Sequence, residues 1–398
     1  MKTNKSAGAL LDRPLRVLCC SGSLQGGGSE RRLWQLASRL DRELFEPTVY
    51  LLYNSGTYRD RLPSDVIVEA YWDHFDQSAR RWPGQIHRSQ IAHMSEVIRQ
   101  RRIDIVFDQT FHMTLIADPS ARRTGIPRVS VIVSPPSSDF QRSRERFKFL
   151  KKRLLSAAYR RPGCLTLAVS EDTAADAASF YRLPPSLIQP VPSPIDMDAV
   201  RMAAAEYHVA ARGTNQLRIV VVGRLSNEKG QLLALESLRL ANANRNNTYV
   251  LDIIGDGPDR SQLQRSARQL GIEHCVSFHG FLENPYPFIS AADILCIPSH
   301  YEGLPNVALE AMALGTHVVA TNCSGALRKL IGNNERGWLV PNGDADRMSS
   351  AYLDLTTNPT KWSARRDAAK CWVEKHHAFS PWLDKLQLIL KNAALWQR

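Results

Sequence analysis

Short apolar runs alternate with amphipathic stretches along the whole chain. In the first half, apolar runs at 17–20, 48–53, 103–107, 129–133 and 165–169 predict strands. Between them, apolar positions at helical spacing predict helices at 30–40, 89–100 and 110–117. The second half repeats the pattern, with strand candidates at 218–222, 249–254, 276–278, 294–297 and 317–320. This alternation predicts parallel sheets covered by helices.

A length of 398 residues predicts two domains, each large enough to bury its own core. A proline-rich stretch at 184–194 and a polar stretch at 212–216 separate the two halves and suit a hinge. We therefore predict a first domain over 1–205 and a second over 206–375. The amphipathic segment 379–395 predicts a last helix, which is assigned to 376–398.

The chain carries 51 Lys and Arg against 39 Asp and Glu, a net charge of +12. With 43% hydrophobic and 23% charged residues it has the composition of an ordinary globular protein, which excludes the disordered and collagen-like classes. The basic excess predicts an anionic partner, and phosphate, an anionic membrane surface and nucleic acid all remain open.

Seven cysteines, with no C-x-x-C pair and no zinc-site spacing, predict buried thiols and a reducing compartment. The sequence shows neither an apolar leader nor a run of about 18 apolar residues. We expect a cytoplasmic protein without a metal site.

Three loops that follow predicted strands carry candidate chemistry, because ligands of parallel sheets bind at the carboxyl ends of strands. The first loop contains Gly26, Gly27 and Gly28 directly before a helix, which suits an anion bound by backbone amides; a flexible turn without a ligand is the alternative. The G-x-G-x-x-G pattern of nicotinamide cofactors is missing from this loop, and strand two ends in Tyr53 and Asn54 without the acidic residue that holds an NAD ribose.

The second loop places Arg224 and Lys229 after the first strand of the second half. Together they suit a diphosphate, and on spacing alone a solvated pair of charges is equally consistent. The third loop runs from Glu302 to the helix that contains Glu310, with Pro305 expected at the first helical position. Carboxylates beside an anion site suit the hydroxyl groups of a sugar, whereas the alternative for Glu310 is an ordinary helix face.

Together these segments resemble family 4 retaining glycosyltransferases. The resemblance rests on the E-x7-E spacing of Glu302 and Glu310 and on four further segments that occur in order, at 223–230, 255–258, 278–280 and 310–315. It implies the GT-B fold, in which two Rossmann-like, doubly wound α/β domains face a central cleft. It also implies a donor held mainly by the second domain, an acceptor held by the first, and a C-terminal helix that crosses back to the first domain.

Carried over by matching position, the resemblance implies a role for each residue. Arg224 and Lys229 bind the donor diphosphate, Glu310 the ribose hydroxyls, and Glu302 the transferred sugar as an orienting, electrostatic residue. The segment after Glu302 supports the sugar and phosphates, and the glycine loop lies against the diphosphate; these donor-binding residues are Gly26, Gly27, Gly28, Gly303, Leu304, Pro305, Asn306 and Val307. No cofactor or metal is implied beyond a UDP- or GDP-linked sugar as co-substrate.

The chain departs from the family pattern near the transferred sugar. Several relatives carry a histidine after the strand that corresponds to 129–133, and this chain has Ser134, Pro135 and Pro136 there. His112, after the preceding strand, is therefore the candidate catalytic histidine, with an ordinary surface role as the alternative.

The segment 142–161 contains nine basic residues and one acid, with apolar side chains between them. It predicts a basic amphipathic helix that contacts an anionic membrane at its inner, cytoplasmic face, through Arg144, Lys148, Lys151, Lys152 and Arg153. The alternative is a helix whose apolar stripe packs on the domain.

The sequence thus predicts a retaining, metal-independent hexosyltransferase. It moves a hexose or N-acetylhexosamine to a glycan or lipid-linked acceptor in cell-surface polysaccharide or lipopolysaccharide assembly. A GT-B epimerase acting on a UDP-sugar is the enzymatic alternative, and a basic nucleic-acid-binding protein is the alternative from another class. The sugar, the acceptor and the oligomeric state stay open.

Overall fold

The computed structural model describes residues 13–77, 82, 84–142, 147–210, 213, 216–243 and 248–395. Arg144, one of the predicted membrane contacts, lies outside these ranges. The chain forms two compact units, one from residues up to Pro192 together with the segment from Ser380, the other from Ser193–Phe379. Within the described part, no helix has the length and apolar character needed to span a membrane.

The first unit is built on a parallel sheet with the strand order β3-β2-β1-β4-β5-β6-β7. The strands are β1 (Leu15–Ser21), β2 (Phe45–Leu51), β3 (Ile67–Ala70), β4 (Ile105–Gln109), β5 (Arg128–Ile132), β6 (Cys164–Ala168) and β7 (Ile188–Pro190). The helices are α1 (Gly28–Arg39), α2 (Gln85–Gln100), α3 (Phe111–Thr124), α4 (Pro136–Arg142), α5 (Lys148–Arg160) and α6 (Glu171–Tyr181). Every residue of β4 and β5 is buried, as expected for central strands covered on both faces.

The second unit repeats this design with the parallel strand order β10-β9-β8-β11-β12-β13. Its strands are β8 (Gln216–Val222), β9 (Thr248–Ile254), β10 (Val276–Gly280), β11 (Ile294–Ile297), β12 (His317–Thr321) and β13 (Trp338–Val340). Its helices are α7 (Met197–Ala204), α8 (Gln231–Ala243), α9 (Arg260–Gln269), α10 (Tyr286–Ala291), α11 (Asn306–Leu314), α12 (Gly325–Ile331), α13 (Ala345–Thr357) and α14 (Pro359–His377). The last helix, α15 (Phe379–Leu395), belongs to the first unit from Ser380 onward.

The predicted fold class is confirmed, since both units are doubly wound parallel α/β structures. The strand order reverses between β1 and β4 in one sheet and between β8 and β11 in the other. Three short strands, β3, β7 and β13, have no counterpart in the sequence analysis.

The division between the units falls between Pro192 and Ser193, ahead of the predicted limit at 205. The reason is α7, which lies between these two positions and packs against α10 and α11 of the second unit. Val200 of α7 joins the apolar core formed there with Ile289 and Leu309.

A buried ion pair ties four elements of the first unit together. Arg128 of β5 donates to Asp108 of β4 at 2.9 Å, and both side chains are at most 2% exposed. Thr114 of α3 donates to the other carboxylate oxygen of Asp108 at 2.7 Å. Arg128 also donates to the backbone oxygen of Ala158 in α5 at 3.0 Å. The positions of α3 and α5 relative to the sheet therefore depend on this network.

We expect Arg128→Met to destabilise the first unit by about 3–5 kcal/mol, because it leaves the carboxylate of Asp108 buried without its cation. Urea unfolding followed by fluorescence and circular dichroism measures the change. Arg13→Ala is the matched control, since Arg13 is 38% exposed in its pair with Asp104 and we expect a loss of at most about 1 kcal/mol. Equal, small losses in both variants would show that the buried network does not hold this unit together.

Candidate functional site

The loops after β8 and β11 leave the second sheet at the point where the strand order reverses. In open parallel sheets the loops diverge at this point, and the crevice outside the carboxyl ends of the strands takes the ligand. The first loop carries Arg224 and Lys229, and the second carries Glu302. The topology thus brings the three predicted side chains to one edge of one sheet.

A glycine allows these two loops to approach each other closely. Gly230 has φ +64°, and a Cβ at this position would lie 2.1 Å from the backbone oxygen of Pro298. The loops are also joined by the amide of His300, which donates to the backbone oxygen of Glu228 at 2.9 Å. Only glycine fits this position, and its neighbour Lys229 is thereby held beside the second loop.

Lys229 and Glu302 form an ion pair. The ammonium Nζ lies 2.6 Å from Oε1 of Glu302, and Ser299 Oγ donates to the same oxygen at 2.8 Å. The Glu302 side chain is only 11% exposed, whereas the Lys229 side chain is 32% exposed. Neither contact uses the second carboxylate oxygen, Oε2. The pair fixes both residues and leaves the lysine partly open to solvent.

Arg224 differs from Lys229 in its surroundings. Its side chain is exposed, and its backbone oxygen accepts from the side-chain amide of Gln231 at 2.8 Å, which fixes the loop. Within the described part of the chain, the Arg224 guanidinium has no hydrogen bond or ion pair. It is therefore a cation held at the sheet edge and open to an anion.

The start of α11 carries the remaining residues that were predicted to contact the donor. The helix begins at Asn306, and Pro305 is the N-cap with φ −71° and ψ 112°, so the expectation that Pro305 occupies the first helical position is wrong. Its extended backbone turns the chain before the helix rather than inside it. Glu310, one turn later, is 5% exposed.

Asn306 contributes a buried polar atom to this site. Its side-chain oxygen Oδ1 is buried and lacks a hydrogen-bond partner among the described residues. Because an unsatisfied buried acceptor costs about 1–3 kcal/mol, such an atom marks a place where a ligand donor would stabilise the protein. Gly303 is held nearby through its backbone oxygen, which accepts from Ser324 Oγ at 3.2 Å. Leu304 and Val307 flank this segment half-buried.

Cys323 is a further group close enough to Glu302 and Lys229 to interact with them electrostatically. Burial raises the pKa of its thiol above the ordinary value, so the group is neutral and a weak nucleophile. Across the described ranges, no three His, Cys, Asp or Glu side chains are grouped so that they could share a metal ion. Metal independence stays a prediction.

The glycine segment of the first unit already binds a carboxylate. Glu30 accepts from the amides of Gly26 at 2.9 Å and Gly27 at 2.7 Å, and from Ser23 Oγ at 2.8 Å. Gly27 is the N-cap of α1, and Gly28 is its first residue. The amides of Gly26 and Gly27 thus already bind the carboxylate of Glu30, the third residue of α1, a contact that was not predicted from the sequence. The signal was present, because a glutamate three residues after an N-cap is the capping-box pattern.

His112 is the second residue of α3 and lies three residues after the carboxyl end of β4, and its side chain is exposed. Thr110 before it has φ +70°, which is unusual for a residue with a branched side chain. Gln109, the last residue of β4, donates to the backbone oxygen of Ser29 at 2.6 Å. The end of β4 is therefore tied to the glycine segment, and His112 follows it on a constrained turn.

Helix α5 and the residue before it expose several large apolar side chains to solvent. Phe147 is 77% exposed, Phe149 80%, Leu150 53% and Leu154 48%. The opposite side, with Leu155, Ala158 and Tyr159, is buried. Part of the apolar stripe thus packs on the domain, as the alternative expects, and Phe149, Leu150 and Leu154 remain exposed.

The basic residues that were predicted to contact a membrane have different surroundings. Lys148 donates to the backbone oxygen of Gln141 at 3.4 Å, Lys151 Nζ lies 6.0 Å from the Phe111 ring centroid, and Lys152 Nζ lies 4.0 Å from that of Phe180. Arg153 is exposed beside Leu150 and Leu154. The exposed aromatic and aliphatic side chains are thus more exposed than Lys148, Lys151 and Lys152.

Two family models match this chain, one in each half. Residues 26–199 match Glycosyltransferase Family 4, and residues 207–372 match Glycosyl transferases group 1. Together they include every donor-binding residue predicted from the loops.

Curated relatives match shorter stretches. The 2-deoxystreptamine N-acetyl-D-glucosaminyltransferase of Streptomyces fradiae is 33% identical over 223 residues, 54% of this chain and 52% of that protein. A Campylobacter jejuni protein is 27% identical over 208 residues, 52% of this chain and 54% of that protein. It is named N-acetylgalactosamine-N,N'-diacetylbacillosaminyl-diphospho-undecaprenol 4-alpha-N-acetylgalactosaminyltransferase. The chain thus spans about half the length of these relatives.

Among solved structures, Anabaena HepE in complex with UDP-glucose has a TM-score of 0.78 with 18% identity, covering 95% of this chain and 100% of that one. This likeness extends over both units and shows a shared fold. Because both halves match glycosyltransferase family models and the fold is shared over nearly the whole chain, the protein belongs to the group 1 and family 4 glycosyltransferases of the GT-B fold.

Proposed function

We propose that this protein transfers a hexose or N-acetylhexosamine from a nucleotide-diphosphate sugar to a glycan or lipid-linked acceptor, with retention of the anomeric configuration. The acceptor oxygen forms a bond to C1 of the sugar as the bond from C1 to the diphosphate breaks, and the acceptor proton passes to the leaving phosphate oxygen. The atoms and charges balance without an additional reactant.

The observation that carries this proposal is the Lys229–Glu302 ion pair at the reversal of the second sheet. The partly exposed ammonium can meet the negative charge that develops on the leaving diphosphate, and the open guanidinium of Arg224 adds a second cation. Glu302 keeps Lys229 in place while its Oε2 can accept from a sugar hydroxyl. In other enzymes a metal ion can supply the positive charge that stabilises a leaving diphosphate. Here Lys229 and Arg224 supply that charge, so we propose that the enzyme needs no metal.

The named relatives support the classes of donor and acceptor. Anabaena HepE was solved with UDP-glucose, which makes UDP the first nucleotide to test here. The Streptomyces fradiae and Campylobacter jejuni relatives are named as transferases of N-acetylhexosamines, and the second name includes a diphospho-undecaprenol acceptor. We extend these classes to the present chain as part of the proposal.

Calorimetry with UDP and uridine separates the predicted phosphate contacts from the ribose contact. We expect Arg224→Ala and Lys229→Met each to weaken UDP binding at least about tenfold and to leave uridine binding unchanged, since only the diphosphate loses a charge-assisted bond. We expect Glu310→Gln to weaken both ligands by about tenfold, because both carry the ribose.

Arg201→Ala is the matched control for these variants. Arg201 lies in the same unit, where it pairs with Glu374 at 3.1 Å, and it is not part of the proposed site. Parental UDP affinity in Arg224→Ala and Lys229→Met would disprove the proposed diphosphate site.

Retention and metal independence are tested without knowing the acceptor. We expect the enzyme to hydrolyse UDP-glucose or UDP-N-acetylglucosamine slowly in EDTA, and the first sugar detected by proton NMR to be the α-anomer of the donor. Initial release of the β-anomer contradicts retention, whereas a rate abolished by EDTA and restored by Mg²⁺ or Mn²⁺ contradicts metal independence.

We also propose that the exposed face of α5 binds an anionic membrane surface. Leu150 and Leu154 lie one turn apart on this face, with Arg153 beside them, and Phe147 and Phe149 project at the start of the helix. Aromatic and aliphatic side chains of this kind insert at the headgroup boundary, and cations nearby add roughly 1 kcal/mol each. This placement would bring a lipid-linked acceptor to the enzyme.

Sedimentation with vesicles tests this surface. We expect binding to phosphatidylglycerol vesicles, weaker binding to phosphatidylcholine, and a decrease with salt. Phe149→Ser with Leu150→Ser should reduce binding at least about tenfold, since each buried side chain contributes about 1.5–3 kcal/mol. Leu388→Ser, which changes a 59% exposed leucine on α15, is the control. Equal binding by the two variants would rule out α5 as the contact.

A further inference from the structure

A small cavity lies at the amino edge of the sheet in the first unit. It has a volume of about 160 Å³ and is bordered by the second half of α3, the first residue of β5 and the turn that leads into β6. Ligands of open parallel sheets bind at the carboxyl ends of the strands, where β4 leads to His112. The cavity therefore lies at the opposite edge, and the proposed glycosyl transfer assigns no role to it.

The charged part of the cavity wall is mostly basic. Among the described residues that line the cavity, Arg122, Arg128 and Arg161 carry guanidinium groups and Asp118 carries a carboxylate. Arg161 Nη2 lies 3.1 Å from Oδ2 of Asp118, and Arg128 Nη2 lies 3.7 Å from Oδ1. Both oxygens of this carboxylate thus face arginines of the protein itself.

One of the three arginines has no counterion. Arg128, besides facing Asp118, pairs with the buried carboxylate of Asp108, which is not part of the cavity wall. Arg122 is exposed, and its guanidinium has no hydrogen bond or ion pair with any other residue that the structure describes. Three arginines therefore meet two carboxylates, and one positive charge is left over. The carboxyl end of α3 offsets it by only about half a charge.

The rest of the wall is largely apolar. Ala121, Ile126 and Pro162 line it together with the thiol of Cys164. Arg128 Nη2 donates to Cys164 Sγ at 3.1 Å, and burial raises the pKa of this thiol, so it is neutral. In size the cavity is close to an engineered cavity of about 150 Å³ that binds benzene. It therefore suits a compact apolar body that carries one negative charge.

We propose that the cavity binds a small monocarboxylic acid, whose carboxylate pairs with Arg122 and whose apolar part packs against Ala121, Ile126 and Pro162. A guanidinium binds a carboxylate through two parallel hydrogen bonds. The single charge of a carboxylate equals the charge left over in the wall, whereas a phosphate ester carries close to two charges at neutral pH. This site is additional to the proposed glycosyl transfer and does not depend on it.

Binding in the cavity is coupled to the stability of the first unit. Arg128 belongs both to the cavity wall and to the buried network that joins β4, β5, α3 and α5. A ligand that binds only the folded unit shifts its unfolding to higher denaturant concentrations. We therefore expect a bound acid to protect the first unit against urea.

The test uses the full-length protein saturated with UDP, so that the acid cannot occupy the proposed donor site. Benzoate is the probe and benzyl alcohol its neutral analogue, and binding is followed by saturation-transfer NMR at physiological ionic strength. We expect benzoate to bind at least about tenfold more tightly than benzyl alcohol. We expect Arg122→Gln to weaken benzoate binding at least about tenfold, since a charge-assisted pair is lost in both comparisons.

Arg123→Gln is the matched control. Arg123 is the next residue of α3, carries the same charge and is also exposed, but it does not line the cavity. We expect this variant to bind benzoate as the parent does, and both variants to unfold at the parental urea concentration without benzoate. Equal weakening in the two variants indicates a diffuse basic surface and overturns the proposal. Absence of benzoate binding to the parent also overturns it.

A second arm replaces benzoate with inorganic phosphate. Phosphate that binds more tightly than benzoate, and that is weakened by Arg122→Gln alone, assigns the cavity to inorganic anions and overturns a carboxylic acid ligand. Calorimetry with UDP on the same protein reports separately on the proposed function, because the cavity and the loops that carry Arg224 and Lys229 belong to different units.

Discussion

The ion pair between Lys229 and Glu302 is the interaction on which the site of the second unit depends. Removing two charges from water is costly, and the cost is offset here by a short contact and by the Ser299 hydroxyl on the same carboxylate oxygen. The contact exists because Gly230 lets one loop reach the backbone of the other. A pair held in this way keeps a lysine ammonium at a strand end before any substrate arrives, which is the preorganisation that electrostatic catalysis requires.

The first unit has the same kind of strand order, but different groups lie where that order reverses. There the amides at the start of α1 bind Glu30, and Gln109 joins β4 to the same segment. The amides of the glycine loop thus bind a carboxylate of the same unit, whereas the loops of the second unit hold a paired lysine and an exposed arginine. The same topology thus produces two edges with different electrostatics.

The buried pair of Arg128 and Asp108 also holds two surface helices of the first unit in position. Through Thr114 it fixes α3, and through the Ala158 carbonyl it fixes α5, the two helices that carry His112 and Lys151. One side of α5 therefore packs in the core, and the opposite side exposes apolar residues. An exposed patch on a firmly held helix is typical of an interaction surface.

The sequence by itself determined the two-sheet α/β fold, the loops that carry chemistry and the family, because long apolar runs and loop motifs are local features. Strands β3, β7 and β13 were missed; each is a short strand at the edge of its sheet with a single buried residue, so its burial leaves a weak apolar signal. Arg224, Lys229, Glu302 and Glu310 were named from spacing. Only the tertiary structure decided that Lys229 pairs with Glu302 across 73 positions and that Glu30 binds the amides of the glycine loop. It also decided which apolar residues of α5 are buried and which are exposed. These outcomes depend on which surfaces meet after the chain has folded, and contacts between distant segments leave no local signal in the sequence.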